Sequence, residues 1–223
     1  MSILQNIKNI MPEKIPSFAA IFYTKGPARM FQPHYVMVAD EVSLPEGAVM
    51  VDIGTGPGIL PIDIAKKFPR SKIIGVDLSE KMIEIANKNK KAHQAENVEF
   101  KVMDANDLRF ADNSIDFIIS TGSLHHWKNP KAILNEIHRC LKPGGSAWVY
   151  DGYGQATNAD IDKAIRRFCC GFPWAPVVRR ILSIHGYTQK EYDTIIKDIV
   201  ANSRFKTCSF DKRGIMMRVT LRK

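Results

Sequence analysis

Three groups of residues in this chain have types and spacings that could do chemistry. The first is Met50-Val51-Asp52-Ile53-Gly54-Thr55-Gly56-Pro57-Gly58-Ile59-Leu60. An apolar run carries an acid near its end, three glycines follow at alternate positions, and an amphipathic segment comes next. Glycines permit a tight turn and let a ligand approach the backbone closely. The start of a helix offers unpaired N–H groups to a polar or anionic ligand. The spacing is G-x-G-x-G rather than the G-x-G-x-x-G of a dinucleotide site. Ile59 stands where the third glycine of that fingerprint would serve helix–strand packing. A carboxylate at Asp52 would repel a pyrophosphate but could pair with an ammonium. The second group is Asp77, which ends the run Ile73-Ile74-Gly75-Val76. It lies 19 positions after Gly58, near the distance expected of an acid that grips a ribose diol, and a carboxylate has two oxygens to accept two hydroxyls. The third is Thr121-Gly122-Ser123-Leu124-His125-His126-Trp127. An imidazole titrates near neutral pH, so His125 or His126 could act as a general base. The bland alternative is that one packs and caps the next helix while the other is solvated.

These residues need elements to hold them. Apolar runs predict strands near 48–52, 72–77, 98–102, 115–120 and 145–150. Helical patterns near 58–68, 80–92 and 130–141 separate them. Strand and helix in alternation mean a parallel sheet covered on both faces. Pro61 falls in the first turn of its helix, where a missing N–H costs little. Ser79 and Asn129 suit N-cap positions. Residues 1–44 form an N-terminal extension. In it Ile3, Leu4, Ile7, Ile10 and Met11 recur at helical spacing until Pro12 and Pro16 break the pattern, and a second segment runs over 32–42. After Asp151 the alternation stops. Residues 158–184 are helical in pattern but interrupted around Gly171-Phe172-Pro173-Trp174. Thr188-Gln189-Lys190-Glu191 is a capping box that opens a helix to about Asn202. A hairpin over 206–210 and 215–221 closes the chain.

The bulk composition sets limits. A chain of 223 residues suits one domain, or one domain with a lid. It is 45% hydrophobic and 25% charged, an ordinary globular balance. No apolar run approaches the roughly 20 residues that span a membrane, and the first residues lack a signal-peptide plan. Cys140, Cys169, Cys170 and Cys208 show no zinc-type spacing, so no metal is expected and a reducing cytoplasm is. The formal charge of +9 is uneven: residues 1–150 carry +2 and residues 151–223 carry +7. A basic third can attract nucleic acid, anionic lipid or acidic substrates. It can equally be a solvated surface, since Arg166-Arg167 and Arg179-Arg180 are only doublets.

The pattern over 45–150 resembles the class I S-adenosylmethionine (SAM)-dependent methyltransferases, with the motifs in that family's order. Val102-Met103-Asp104-Ala105-Asn106-Asp107-Leu108 looks like the family's adenine-contacting turn. Ser114-Ile115-Asp116-Phe117-Ile118-Ile119-Ser120 is similar to its fourth strand, and Leu141-Lys142-Pro143-Gly144-Gly145 to the turn before its fifth. The Leu-His-His-Trp segment resembles the small-molecule group that includes ubiquinone and menaquinone methyltransferases. The resemblance implies a doubly wound α/β fold with a seven-stranded, mostly parallel sheet and an antiparallel last strand. It also implies SAM as cofactor, with S-adenosylhomocysteine as product. Carried onto this sequence, Asp52 lies beside the methionyl part, with backbone contacts from Gly54, Thr55 and Gly56. Asp77 takes the ribose hydroxyls. Leu78 and Met82 pack the adenine, Asp104 and Ala105 hydrogen-bond it, and Thr121 completes the cofactor set.

The segments outside the core, 1–44 and about 152–187, are then expected to cap the site of a methyltransferase domain over 45–223. Phe22, Tyr23 and Trp174 are candidates to line an apolar acceptor pocket, or they are ordinary lid packing. The fourth strand does not end in Asn-Pro-Pro-Tyr, the pattern of amino-group methylation on bases, and no Pro-Cys nucleophile follows it. Both absences lower a nucleic-acid reading and favour a small-molecule acceptor. The rivals are an RNA or protein methyltransferase that uses the basic C-terminal third, and a SAM-binding protein without catalysis. Nothing in the sequence bears on oligomeric state.

Overall fold

The computed structural model describes residues 32–168, 179 and 186–223. Its framework follows from which strands are apolar on both faces. β1 (Val49–Ile53), β2 (Lys72–Asp77) and β4 (Ile115–Thr121) are buried along nearly their whole length. That is what central parallel strands require once helices cover both faces. β3 (Val98–Val102) and β6 (Ser209–Arg213) are more polar and more exposed, and they form the two sheet edges, where charge discourages further pairing. With β5 (Leu141–Gly152) and β7 (Met216–Arg222) the strand order is β3-β2-β1-β4-β5-β7-β6. β1 to β5 pair in parallel, and β7 runs antiparallel to both β5 and β6.

Side chains alternate across the strands and divide the core in two. On one face Met50, Ile73, Phe117, Ile119 and Tyr150 pack against α1 (Gln32–Glu41), α2 (Ile59–Lys67) and α5 (Asn158–Phe168). On the other, Val51, Ile74, Ile118, Val149 and Val219 meet α4 (Pro130–Cys140) and a late helical run. That run comprises α6 (Gln189–Glu191), a π-helical stretch (Tyr192–Ile196) and α7 (Lys197–Ala201). α3 (Glu80–His93) lies over β2 and β3 beside α2.

The local signals act as physical chemistry dictates. The Ser79 hydroxyl caps α3 by accepting from the Met82 N–H. Asn129 caps α4 by accepting from the Ala132 N–H, with Pro130 in the first turn. Thr188 and Glu191 close the capping box that opens α6. The final hairpin differs from the sequence expectation: its turn is at Gly214 (φ +63°), and β6 starts three residues later than the pattern suggested. β5 starts directly at the end of α4, and Leu141 pairs with Ile115. The Lys142–Gly145 turn then forces a register shift before Ser146 pairs with Phe117.

The described part of the N-terminal extension is not a separate body. Val38, Ala39 and Val42 of α1 are buried among Met50, Leu60, Ile62 and Ile64. Glu41 pairs with Arg218 of β7 at 2.8 Å. Residues 32–44 therefore belong to the core that starts at β1, because they cover apolar surface that the sheet face would otherwise expose.

Candidate active site

The strand order reverses between β1 and β4, so the loops that leave these strands diverge and open a crevice at the sheet's carboxyl edge. Gly54, Gly56 and Gly58 form the first wall. Their φ angles are +73°, +53° and +75°, a region that side chains with a Cβ rarely occupy. The Gly54 and Thr55 N–H groups both donate to the Val76 carbonyl, at 2.9 and 3.0 Å, which ties the loop to β2. Asp77 braces it from the same side. Its Oδ2 accepts from the Gly56 N–H at 2.9 Å and its Oδ1 from the Ser79 N–H at 2.8 Å.

The three glycines do three jobs. A Cβ on Gly54 would lie 3.0 Å from the Ser123 Cβ, so here the two crevice loops touch. A Cβ on Gly56 would meet nothing within 4 Å, so its backbone borders open space. A Cβ on Gly58 would lie 2.3 Å from Cζ of Phe100 on β3. Gly58 thus supplies the close helix–sheet approach that the dinucleotide fingerprint assigns one position later, at Ile59.

Beneath the loop, Asp52 is almost fully buried, and burial pushes its carboxyl up to about 7. The neighbouring Thr55 hydroxyl, also buried, opposes this rise by hydrogen bonding. Burying a carboxyl and a hydroxyl beneath one loop is costly, which suits a place that receives a polar ligand.

On the β2–β3 side, Leu78 is half-buried at the strand end. Met82 is 0% exposed. It packs within the first turns of α3. Asp104 is exposed, and its Oδ1 accepts from the Asn106 N–H and side-chain amide at 2.8 and 2.9 Å. Ala105 is half-buried against the α4-side core. The loop they share is held by two residues that the sequence did not single out. Glu136 of α4 accepts from the Leu108 N–H at 3.1 Å. Arg139 bonds Glu136, Asp112 and the carbonyls of Leu108 and Phe110. Their contacts to this loop span 27 to 31 positions in sequence, and only the packing of α4 brings them there.

The second wall follows β4. The Ser120 hydroxyl donates to the Ile53 carbonyl at 2.8 Å, across from β1. Thr121, the last residue of β4, is half-buried opposite Tyr150. The chain then turns at Gly122 into a single 3₁₀ turn, Leu124–His126, anchored by buried Leu124.

That turn brings His125 against Asp151 near the end of β5. His125 Nδ1 lies 2.8 and 3.0 Å from Asp151 Oδ1 and Oδ2. The His125 N–H donates to Oδ2 at 2.8 Å and the Gly152 N–H to Oδ1 at 2.7 Å. Burial alone would push the Asp151 carboxyl up. The imidazole and the two N–H groups outweigh it and hold Asp151 below the usual carboxylate range. The His126 ring lies 4.0 Å from that of His125, tilted by 43°. Sequence reading missed Asp151, although its signal was visible: like Asp52 and Asp77, it is an acid at the end of an apolar strand. Phe22, Tyr23 and Trp174 lie outside the described residues.

A doubly wound sheet with this glycine loop, strand-end acid and switch-point crevice defines a nucleoside-binding α/β domain. Residues 44–198 match the family model described as a methyltransferase domain, and the chain belongs to that family. A ubiquinone/menaquinone biosynthesis C-methyltransferase from Desulfotalea psychrophila is 32% identical over 114 residues, 51% of this chain and 45% of that protein. An arsenite methyltransferase from Halobacterium salinarum is 31% identical over 106 residues, 47% of this chain and 27% of that protein. The match spans less than half the length of these curated relatives. A SAM-dependent methyltransferase from Aquifex aeolicus has a similar fold, with TM-score 0.67, 21% identity and coverage of 93% of this chain and 98% of that one. The [4+2]-cyclase SpnF shares the fold at TM-score 0.57 and 17% identity, with coverage of 86% and 80%.

S-adenosylmethionine is the cofactor that this family and fold imply. The residues present fit it. The buried Asp52 carboxyl suits an ammonium, the open face of Gly56 admits a ligand against the backbone, and Asp77 stands at the strand end against the glycine loop.

Proposed function

We propose that this chain transfers a methyl group from SAM to a small-molecule acceptor. The observation that carries the reading is the pairing, at one switch-point crevice, of a nucleoside-type cradle with an imidazole held by a buried carboxylate. The relatives named above are a ubiquinone/menaquinone biosynthesis C-methyltransferase and an arsenite methyltransferase, and both names support a small-molecule acceptor here. When bound, SAM supplies an electrophilic methyl group on a sulfonium, ready for in-line displacement.

The chain's residues supply position and environment. Asp52 pairs with the methionyl ammonium. Asp77 accepts the ribose hydroxyls while holding Gly56 and Ser79. Leu78 packs the base, and Asp104 and Ala105 bond its edge. Thr121 and Ser123 line the approach to the acceptor. Orientation of this kind carries much of the rate in a displacement that needs neither metal nor strong acid. The cap is proposed to come from the extension 1–44 and the segment of about 152–187, with Phe22, Tyr23 and Trp174 against the acceptor.

The test is calorimetry with SAM and S-adenosylhomocysteine, followed by turnover against an acceptor panel. Binding plus transfer to a small molecule is the expected result. RNA binding that fades steeply with salt, together with RNA methylation, would replace the acceptor class. Tight SAM binding without transfer to any acceptor would leave only a binding protein.

A further inference from the structure

The loop between β3 and β4 carries Asp104 and Ala105 on an arch with two feet. At the first foot the Met103 N–H donates to the Asp77 carbonyl at 3.0 Å, at the end of β2. At the second stand Glu136 and Arg139 of α4. Glu136 Oε2 accepts from the Leu108 N–H at 3.1 Å. Arg139 Nε and Nη2 donate to the two Glu136 oxygens at 2.9 and 2.8 Å. Nη2 also donates to the Leu108 carbonyl, and Nη1 donates to the Phe110 carbonyl and to Asp112 Oδ1 at 2.8 and 2.7 Å. The Asn113 N–H closes the set by donating to the Arg139 carbonyl at 3.0 Å.

A guanidinium has five N–H donors in a fixed planar fork. Two of them hold Glu136 and three hold the loop, so all are used. A lysine cannot do the same, because its three donors radiate from one nitrogen. Leu108, 1% exposed, presses the loop onto the core, but that force has no direction. The bonds to the Leu108 N–H and to the Leu108 and Phe110 carbonyls fix how the loop is turned. The Arg139 guanidinium keeps the Glu136 carboxyl below its ordinary range, so the clamp stays charged around neutral pH.

The arch passes this orientation on. Only Ala105, Asn106 and Asp107 separate Asp104 from Leu108. The span is stiffened by the Asp107 N–H, which donates to the Asp104 carbonyl at 3.1 Å, and by Asn106, whose N–H and amide both bond Asp104 Oδ1. A carboxylate only accepts hydrogen bonds. At the edge of a base it suits the exocyclic amine of adenine, a donor, and opposes the oxygen that hypoxanthine carries at the same place.

We propose that Glu136 and Arg139 are positioning residues for the cofactor's base: by fixing the second foot of the arch they set the place of Asp104, and with it the preference of the site for adenine. The inference rests on the cofactor reading above, in which Asp104 and Ala105 bond the edge of the base, and extends it to two side chains of α4 that act through the loop.

The test compares S-adenosylhomocysteine with S-inosylhomocysteine, the same molecule with hypoxanthine in place of adenine, by calorimetry on the full chain. Wild type, Asp104→Ala, Arg139→Gln, Arg139→Lys and Glu136→Gln are measured at a temperature where melting curves show each of them folded. Wild type should prefer the adenosine compound by about 10-fold or more, the share of one hydrogen bond. Asp104→Ala and both Arg139 variants should lose most of that preference through weaker binding of the adenosine compound, while affinity for the inosine compound changes little. Glu136→Gln should lose less, because its amide oxygen still suits the Leu108 N–H. Amide exchange should quicken at Leu108 in the Arg139 variants and stay unchanged at Met103. An unchanged preference in both Arg139 variants overturns the proposal. So does an equal weakening of both compounds, which is what a purely structural role gives. If wild type binds both compounds alike, or Asp104→Ala keeps the preference, the proposal fails while the cofactor reading survives. If wild type binds neither compound, both fail. Should Arg139→Gln not fold, Arg139→Lys and Glu136→Gln decide by the same ratio.

Discussion

Replacing Asp52 by Asn tests the cradle through stability rather than turnover. Burial raises the folded-state pKa of Asp52 from 3.8 to about 7. Between these values the folded protein holds a proton that the unfolded chain has released. Asp52 therefore contributes stability that is fully present below pH 3.8 and is lost as pH rises through 7. At about 1.4 kcal/mol per pH unit the loss amounts to about 4 kcal/mol. His34 opposes it. This buried histidine of α1 packs edge-on against Tyr150 at 5.6 Å, and burial lowers its pKa from 6.5 to about 4. Its contribution is present above pH 6.5 and is lost as pH falls through 4, about 3 kcal/mol in all.

The two slopes cancel over much of pH 4–6.5, so wild-type stability hides both. Asp52→Asn keeps the shape and removes the titration. Urea unfolding of the cofactor-free protein at half-unit steps from pH 4 to 8 should give a variant-minus-wild-type difference that climbs by about 4 kcal/mol and levels off above pH 7. In the variant alone, stability should rise from pH 4 to 6.5 as the His34 slope is uncovered. A difference that stays flat within 1 kcal/mol across the range would mean that Asp52 is solvated, and the argument for an ammonium site would fall. The same variant should bind SAM more weakly, since the amide cannot neutralise an ammonium.

Other outcomes follow from the same geometry. Asp77→Ala should weaken SAM binding by about 1.5–3 kcal/mol, the range for hydrogen bonds to a charged group, and an unchanged dissociation constant by calorimetry would remove it from the ribose site. Gly58→Ala should destabilise the fold by about 1–3 kcal/mol through overpacking on Phe100, whereas Gly56→Ala should cost less in thermal melts yet lose cofactor affinity, because its Cβ enters open space. Equal melting temperatures for the two variants would contradict this division of labour. Deleting residues 1–30 should abolish transfer while circular dichroism shows a folded core, because α1, which seals the sheet face, is retained. Normal turnover after the deletion would end the idea of a cap.

The sequence by itself determined the local elements. Strands buried on both faces must be apolar throughout, so their runs stand out. A glycine turn and a helix cap use neighbouring residues, so Gly54 to Gly58, Asp77, Ser79, Asn129 and Thr188 were legible from spacing alone. Only the tertiary structure decided which distant groups meet there. The packing of α3 buries Met82. Gly58 takes the packing role because Phe100 crosses over it from β3. Arg139 and Glu136 hold the loop of Asp104 because α4 lies beneath that loop. His125 stood out as one of two equivalent histidines, and sequence offered no reason to prefer it. The preference comes from Asp151, 26 residues further on. It reaches the imidazole because β5 pairs beside β4 and a π-helical turn closes over the strand end. Contacts within a few residues are set by local conformational preference and leave a pattern in the chain. Contacts across the sheet depend on strand order and register, which no local spacing encodes.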